Sequence, residues 1–291
     1  MYLLTTRHLT ETTASAAILA RRVLRKAVIP AAGLGRRMSS LTGGAPKEML
    51  PLAGRPIIHH VVQEAIDAGL VEICIVIHKG KQEIRRYFES DNPEAYEAEP
   101  PAEKLRSRCN IVFAYQGEPR GLGDAVLCAK AFVGDERFAL LIPDQLFIGR
   151  AGAIPQLAGK KLAANAFVSS LIRIPLSELE YFLGARKFIC ESYAAHSGVM
   201  VVTGIEPAEY ASYTSALRGF GRTIYPPEVF EFLDARFADT RTGEVDLLKT
   251  FRALLAVAPS YAVLLEGEAF DLGTVEGYHY FRGRFASRAV E

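Results

Sequence analysis

The stretch that most limits what this chain can fold into is residues 26–52, KAVIPAAGLGRRMSSLTGGAPKEMLPL. An apolar run over 27–32 breaks into Gly33-Leu34-Gly35, Arg36 and Arg37 follow, and a polar segment leads to Pro46-Lys47-Glu48-Met49-Leu50. That order reads as a buried strand, a glycine turn, a basic loop and a second anchored segment. Glycines let backbone N–H groups come close to a phosphate, and cations neutralise it. The loop is not G-x-G-x-x-G, because Met38 stands at the third glycine position and no acid follows at ribose-gripping distance. Nor is it a Walker loop, since Lys47 lies between Pro46 and Glu48.

The segments after the loop set the fold class. Pro56 opens a helix whose Ile57, Ile58, Val61, Val62, Ala65 and Ile66 repeat at helical spacing, and Gly69 closes it. A strand over 71–77, a helix over 80–90 with Ile84, Tyr87 and Phe88 inward, and a strand over 111–115 come next. Residues 91–108, acidic and Pro-rich at first, read as an exposed loop or frayed helix. The rhythm predicts an α/β fold, Rossmann-like, with a mixed, mostly parallel sheet flanked by helices. Right-handed crossovers then gather the strand ends on one ligand-binding edge. On that edge fall the glycine loop, Gly121-Leu122-Gly123 in QGEPRGLGDAVLCAK, and Asp144 after the apolar run FALLIP. An Asp at the end of a buried strand suits a hard divalent ion. Further strands are expected over 165–174 and 196–203, and a last helix over 275–284. His59 and His60 are adjacent on a helix and so cannot make a metal pair; one is expected to cap the core and one to face water. His78 is expected to be structural.

The pattern G-x-G-x-R followed by P-K-x-M-L-P resembles the signature of sugar-nucleotide pyrophosphorylases, nearest to the bacterial UTP–glucose-1-phosphate uridylyltransferases. Q-x-E-P-x-G-L-G-x-A over 116–125, the Pro226-Pro227-Glu228 segment and EAFDLGT over 268–274 fit the same family. The resemblance covers most of 26–285 and is poor over 175–210. It implies transfer of a uridylyl group from UTP to a sugar-1-phosphate, glucose-1-phosphate by default, with release of pyrophosphate. On it, Ala31, Ala32, Gly33 and Gly35 bind the nucleotide, with Gln116 on the uracil edge and Gly121 beneath the base. Arg37 and Lys47 hold the phosphates, and Asp144 and Asp271 carry Mg²⁺. Gly184 and Glu206 are the best matches to the sugar-binding segments. There the chain departs from the family: Ile205 and Glu206 stand where a sugar-gripping Glu and a phosphate-binding Lys are usual. A carboxylate beside a sugar phosphate is repelled unless a cation intervenes, and Arg186 or Lys187 is the alternative source of charge. Arg36, Ser40 and Gln145 are further departures, Gln145 replacing a second consecutive acid. Two rivals follow: the same reaction with another sugar or with dTTP, and a catalytically silent sugar-nucleotide-binding regulator.

Composition narrows the partners. A net charge of +1 with 23% charged residues gives no bulk field for nucleic acid or membrane surfaces, and no apolar run is long enough to span a bilayer. Cys74, Cys109, Cys128 and Cys190 form no C-x-x-C, which fits a reducing, cytoplasmic setting. Residues 1–25 read as an N-terminal extension, disordered or loosely helical, before a single domain over 26–291. The family resemblance adds the expectation of a homo-oligomer, dimer or tetramer.

Overall fold

The structure, a computed structural model, describes residues 24–89, 102–160, 162–182, 187–193, 197–206, 217–233, 245 and 247–288. The strands in chain order are β1 (Lys26–Pro30), β2 (Pro51–Leu52), β3 (Arg55–Pro56), β4 (Glu72–His78), β5 (Asn110–Gln116), β6 (Phe138–Leu141) and β7 (Gln145–Ile148). They continue with β8 (Phe167–Arg173), β9 (Lys187–Ser192), β10 (Val199–Glu206), β11 (Leu217–Tyr225), β12 (Ser260–Leu264) and β13 (Glu268–Asp271). Nine of them form one sheet in the order β5-β4-β1-β6-β11-β8-β12-β10-β9. The pairings β5·β4, β4·β1, β1·β6 and β8·β12 are parallel. β11 and β10 run against their neighbours, so seven of the nine strands share one direction. This is the mixed, mostly parallel sheet that the strand–helix rhythm predicts.

The sheet is covered on both faces, as parallel strands require. Side chains along β1 alternate: Ala27 and Ile29 enter one core with Ile58, Val61, Val62 and Phe88, while Val28 enters the other with Ala125, Val126, Val229 and Phe251. The helix Ile57–Asp67 begins directly after Pro56, whose missing N–H costs nothing there, and ends before Gly69 at φ +83°. Both histidines of this helix are tied down. Buried His59 bonds the Tyr87 hydroxyl at 2.6 Å on the helix Gln82–Glu89, and half-buried His60 bonds the Leu52 carbonyl at 2.8 Å. The expectation that one would face water fails because β2 passes over this helix and offers His60 an acceptor. His78 is local structure: its Nδ1 accepts from the Gly80 N–H.

The amino edge of β1 is closed by Lys26, whose ammonium donates to the Phe132 and Val133 carbonyls and pairs with Glu136 at 2.7 Å. The carboxyl ends of β1, β4, β5 and β6 lie together on the opposite edge, and the site is built there. Within 91–108 a short helix, Ala102–Arg106, is formed; the extension before residue 24 lies outside the described residues. The last helix runs Val275–Arg288. In the main sheet β9, β11 and β12 have no counterpart among the strands read from the sequence, and outside it neither do β2, β3, β7 and β13.

Candidate active site

β1 ends at Pro30 and delivers Ala31 and Ala32, both buried, to the sheet edge. Ala31 is fixed twice, its N–H donating to the Val76 carbonyl at 2.7 Å and its carbonyl accepting from Lys81 Nζ at 2.9 Å. Gly33 then emerges at the surface with open space where a Cβ would lie. Gly35 takes φ +63°, the left-handed turn that glycine adopts without strain, and seats the chain over the Lys47 side chain. Arg36–Met38 makes one 3-10 turn whose only buried side chain is Met38, leaving Arg36 and Arg37 exposed. The basic loop is thereby pinned by an apolar residue and keeps its cations outward.

The segment around Lys47 is held from below. Pro46 caps a second 3-10 turn, Lys47–Met49, in which Glu48 is 1% exposed. Glu48 receives Lys81 Nζ on both carboxylate oxygens, at 2.9 and 2.8 Å. One buried ammonium thus ties the end of β1 to the turn carrying Lys47. Lys47 itself reaches Asp144 Oδ2 at 2.5 Å. Burial works to lower the Lys47 pKa, but the carboxylates of Asp144 and Glu48 outweigh it and hold it above its ordinary value. Burial works equally against the charge on Asp144, yet Lys47 and the more distant Arg37 keep that carboxyl below the usual range.

Asp271 arrives from the far end of the chain. β13 pairs antiparallel with β7, placing Asp271 opposite Gln145, and the Leu272 N–H donates to the Asp144 carbonyl at 2.7 Å. Both acids then lie against Gly273. A Cβ on that glycine would come within 2.7 Å of Asp144 Oδ2 and 3.0 Å of Asp271 Oδ1. The Gly273 N–H donates to Asp271 Oδ1 at 2.9 Å. Burial, then the negative charge of Asp144, pushes the Asp271 carboxyl up to about 6. Two carboxylates converging with surplus negative charge form a hard, oxygen-only donor set that calls for a cation. Among the described residues no cluster of three or more His, Cys, Asp or Glu surrounds them. The two converging carboxylates match in number and kind what Mg²⁺ takes from a protein when it keeps several waters and binds substrate phosphates.

The second glycine turn lies at the end of β5. Gly121 takes φ +90°, and Gly123 packs so closely that a Cβ would meet the Val245 carbonyl at 2.7 Å. Gln116, buried, donates its amide to the Gly121 carbonyl at 3.1 Å and to Asp124 Oδ2 at 2.8 Å. Two acceptors fix its amide nitrogen, so Gln116 props the turn and keeps only its carbonyl oxygen for a further partner. Of the sugar-side expectations, Gly184 lies outside the described residues. Glu206 ends β10 with its backbone opposite Lys187; the side chains of both lie outside the description.

The glycine loop, the Lys47 segment and the two distant acids therefore meet at one edge of the sheet. The model of the nucleotidyl transferase family matches residues 26–284 of this arrangement. The chain belongs to the nucleotidyl transferase family. This nucleotidyl transferase is 30% identical over 263 residues to the UTP–glucose-1-phosphate uridylyltransferase of Bacillus subtilis, covering 88% of each chain. It is 33% identical over 267 residues to that of Streptococcus pyogenes, covering 88% and 86%. A crystal structure of a UDP-glucose pyrophosphorylase complexed with UDP-glucose superimposes with a TM-score of 0.79 at 25% identity, over 91% of this chain and all of that one. A UTP-bound enzyme from Acinetobacter baumannii does so with a TM-score of 0.69 at 27% identity, over 89% and 92%. Two residues of this nucleotidyl transferase site carry no local signal in the sequence: Lys81 sits in an ordinary-looking K-G-K turn, and Gln145 reads only as a lost acid.

Proposed function

We propose that this protein transfers the uridylyl group of UTP to a sugar-1-phosphate, glucose-1-phosphate by default, forming UDP-glucose and pyrophosphate. A phosphate oxygen of the sugar phosphate attacks the α-phosphorus; the new P–O bond forms as the bond to the β-phosphate oxygen breaks, and pyrophosphate carries away the electron pair. No protein nucleophile is needed, only in-line positioning and charge neutralisation. The observation that carries the reading is the meeting of Lys47, Asp144 and Asp271 beside the Gly33–Gly35 loop. Lys47 and Arg37 neutralise the phosphates. Asp144 and Asp271 would hold Mg²⁺, which when bound offsets charge on the nucleotide and sugar phosphates. Ala32 and Gly33 line the phosphate approach that Ala31 fixes, and Gly121, propped by Gln116, lies beneath the base. The same reading makes the protein a cytoplasmic homo-oligomer; no described helix is long and apolar enough to cross a membrane.

The test is product identity. Purified protein is given UTP or dTTP with Mg²⁺ and a panel of sugar-1-phosphates, and the nucleotide sugars are resolved by chromatography. UDP-glucose forming faster than any other product is the expected result. Preference for another sugar would assign the departure at Glu206 to sugar choice, and no nucleotide sugar from any pair would overturn the reading.

A further inference from the structure

Arg222 is the largest fully buried side chain among the described residues, at 0% exposure, and it sits directly behind the turn that carries Asp144. A guanidinium has five N–H donors, and here all five are used. Nε and one Nη2 hydrogen bond the Glu64 carboxylate at 2.9 and 2.7 Å. The second Nη2 hydrogen goes to the Gln145 carbonyl at 2.7 Å. The Nη1 hydrogens go to the carbonyls of Ile142 at 3.0 Å and Gly221 at 2.9 Å. Ile142 and Gln145 bracket Pro143 and Asp144, so the guanidinium clamps both sides of the turn that aims the Asp144 carboxylate.

β11 is shaped for this. Its pairing with β8 slips between Phe220 and Thr223, and the Ser170 hydroxyl lies 2.9 and 2.7 Å from the Phe220 and Arg222 carbonyls freed by the slip. The slip turns the Gly221 N–H toward Gln145, whose Oε1 accepts it at 2.6 Å. With Oε1 engaged, the Gln145 amide nitrogen faces Asp271 Oδ2 at 3.5 Å. A Cβ on Gly221 would stand 2.5 Å from both Gln145 Oε1 and Ile142 Cβ, so only glycine fits. From Gly221 and Arg222, then, one arm reaches each side of Asp144 and another reaches Asp271.

We propose that Arg222, anchored on Glu64, is a positioning residue that sets the aim of Asp144, with Gln145 relaying the same register to Asp271. The proposal rests on the metal-binding role given above to the two aspartates. It also accounts for the residue type. A lysine has three donors at one point and cannot reproduce a planar fork that spans a carboxylate and three carbonyls.

The test compares Mn²⁺ binding, read by electron paramagnetic resonance in the presence of UTP, between the full-length protein and three variants, Arg222→Lys, Arg222→Met and Glu64→Gln. Lys26→Met serves as a control that removes a buried cation at the opposite edge of the sheet. Arg222→Lys is expected to weaken Mn²⁺ binding by about tenfold or more, the usual effect of removing a group that orients a metal ligand. It should lower kcat more than it raises KM for UTP. Glu64→Gln, which keeps one acceptor for Arg222, should show a smaller loss in the same direction and carries the test if neither Arg222 variant folds. Unchanged Mn²⁺ affinity in a folded Arg222 variant, or in Glu64→Gln if those two do not fold, would overturn the proposal. So would an equal loss in Lys26→Met, which would show general loosening. If the wild type binds Mn²⁺ but makes no nucleotide sugar, the proposed function fails while the comparison of affinities still decides this one.

Discussion

At the scale of single residues the site is a matter of which charges are paired before substrate arrives. Lys47 and Asp144 neutralise each other at 2.5 Å, while Asp271 carries a carboxyl pushed up to about 6 by burial and by Asp144. A cation bound between the acids would relieve Asp271 and release Lys47 toward phosphate. Four of the glycines around the site divide into two kinds. Gly35 and Gly121 are needed for their backbone angles, and Gly123 and Gly273 for close packing. Gly33 is neither, because its φ is not in the left-handed region and nothing lies within 4 Å of a Cβ built on it. On the proposed function, its lack of a side chain leaves room for the nucleotide phosphates. Gly33→Ala is expected to leave stability within about 0.5 kcal/mol of wild type, as for an unconstrained surface substitution, and to raise KM for UTP. Thermal unfolding and initial-rate kinetics on the same preparation check both halves; a fall in stability with unchanged KM would show that the glycine serves the fold alone.

Elements are joined by polar groups as much as by apolar ones. The helices Ile57–Asp67 and Gln82–Glu89 are fastened by the 2.6 Å bond from His59 to the Tyr87 hydroxyl. Burial first, then the charges of Arg55 and His60, push the His59 imidazole down to about 3 from an ordinary 6.5. The folded protein holds His59 neutral while the unfolded chain takes up a proton below pH 6.5, so the unfolded state binds more protons between those values. Stability from this group is complete above pH 6.5 and is lost as the pH falls toward 3. His60, also lowered by burial, adds in the same direction. His59→Gln should flatten the dependence of Tm on pH between 6.5 and 4.5 relative to wild type; parallel curves would show that His59 is not the group responsible. What could be read from the sequence at this scale was whatever is local. Pro56 and Gly69 bound their helix because start and stop signals are properties of neighbouring residues. β11 is not legible in the sequence because Gly219 and Gly221 in LRGFGRTIY look like turn residues. Gly221 is tolerated in a strand interior here because it must pass against Ile142 and Gln145.

The whole molecule gathers residues that are remote in sequence at one edge of a nine-stranded sheet. Asp144 is legible as a strand-end acid and Asp271 through the family resemblance, but their meeting depends on β13 pairing with β7, a two-stranded ribbon outside the main sheet. The burial of Arg222 is illegible for the same reason, since its partners come from Glu64, Ile142, Gln145 and Gly221; the family resemblance takes in its segment but does not announce a buried guanidinium with five acceptors. Breaking that buried pair by removing one partner is expected to cost about 3–5 kcal/mol of stability. On the proposed role of Arg222, the fold depends on the same pair that aims the turn carrying Asp144, and site geometry and global stability are coupled through it. The most direct test of the account is pyrophosphate release from UTP and glucose-1-phosphate with Mg²⁺, measured for the wild type beside Asp144→Asn, with circular dichroism confirming that both are folded. The account predicts release by the wild type and a loss of about a hundredfold or more in the variant, the scale of removing a principal charge-stabilising group. Equal rates in the two folded proteins, or no release by the wild type, would contradict it.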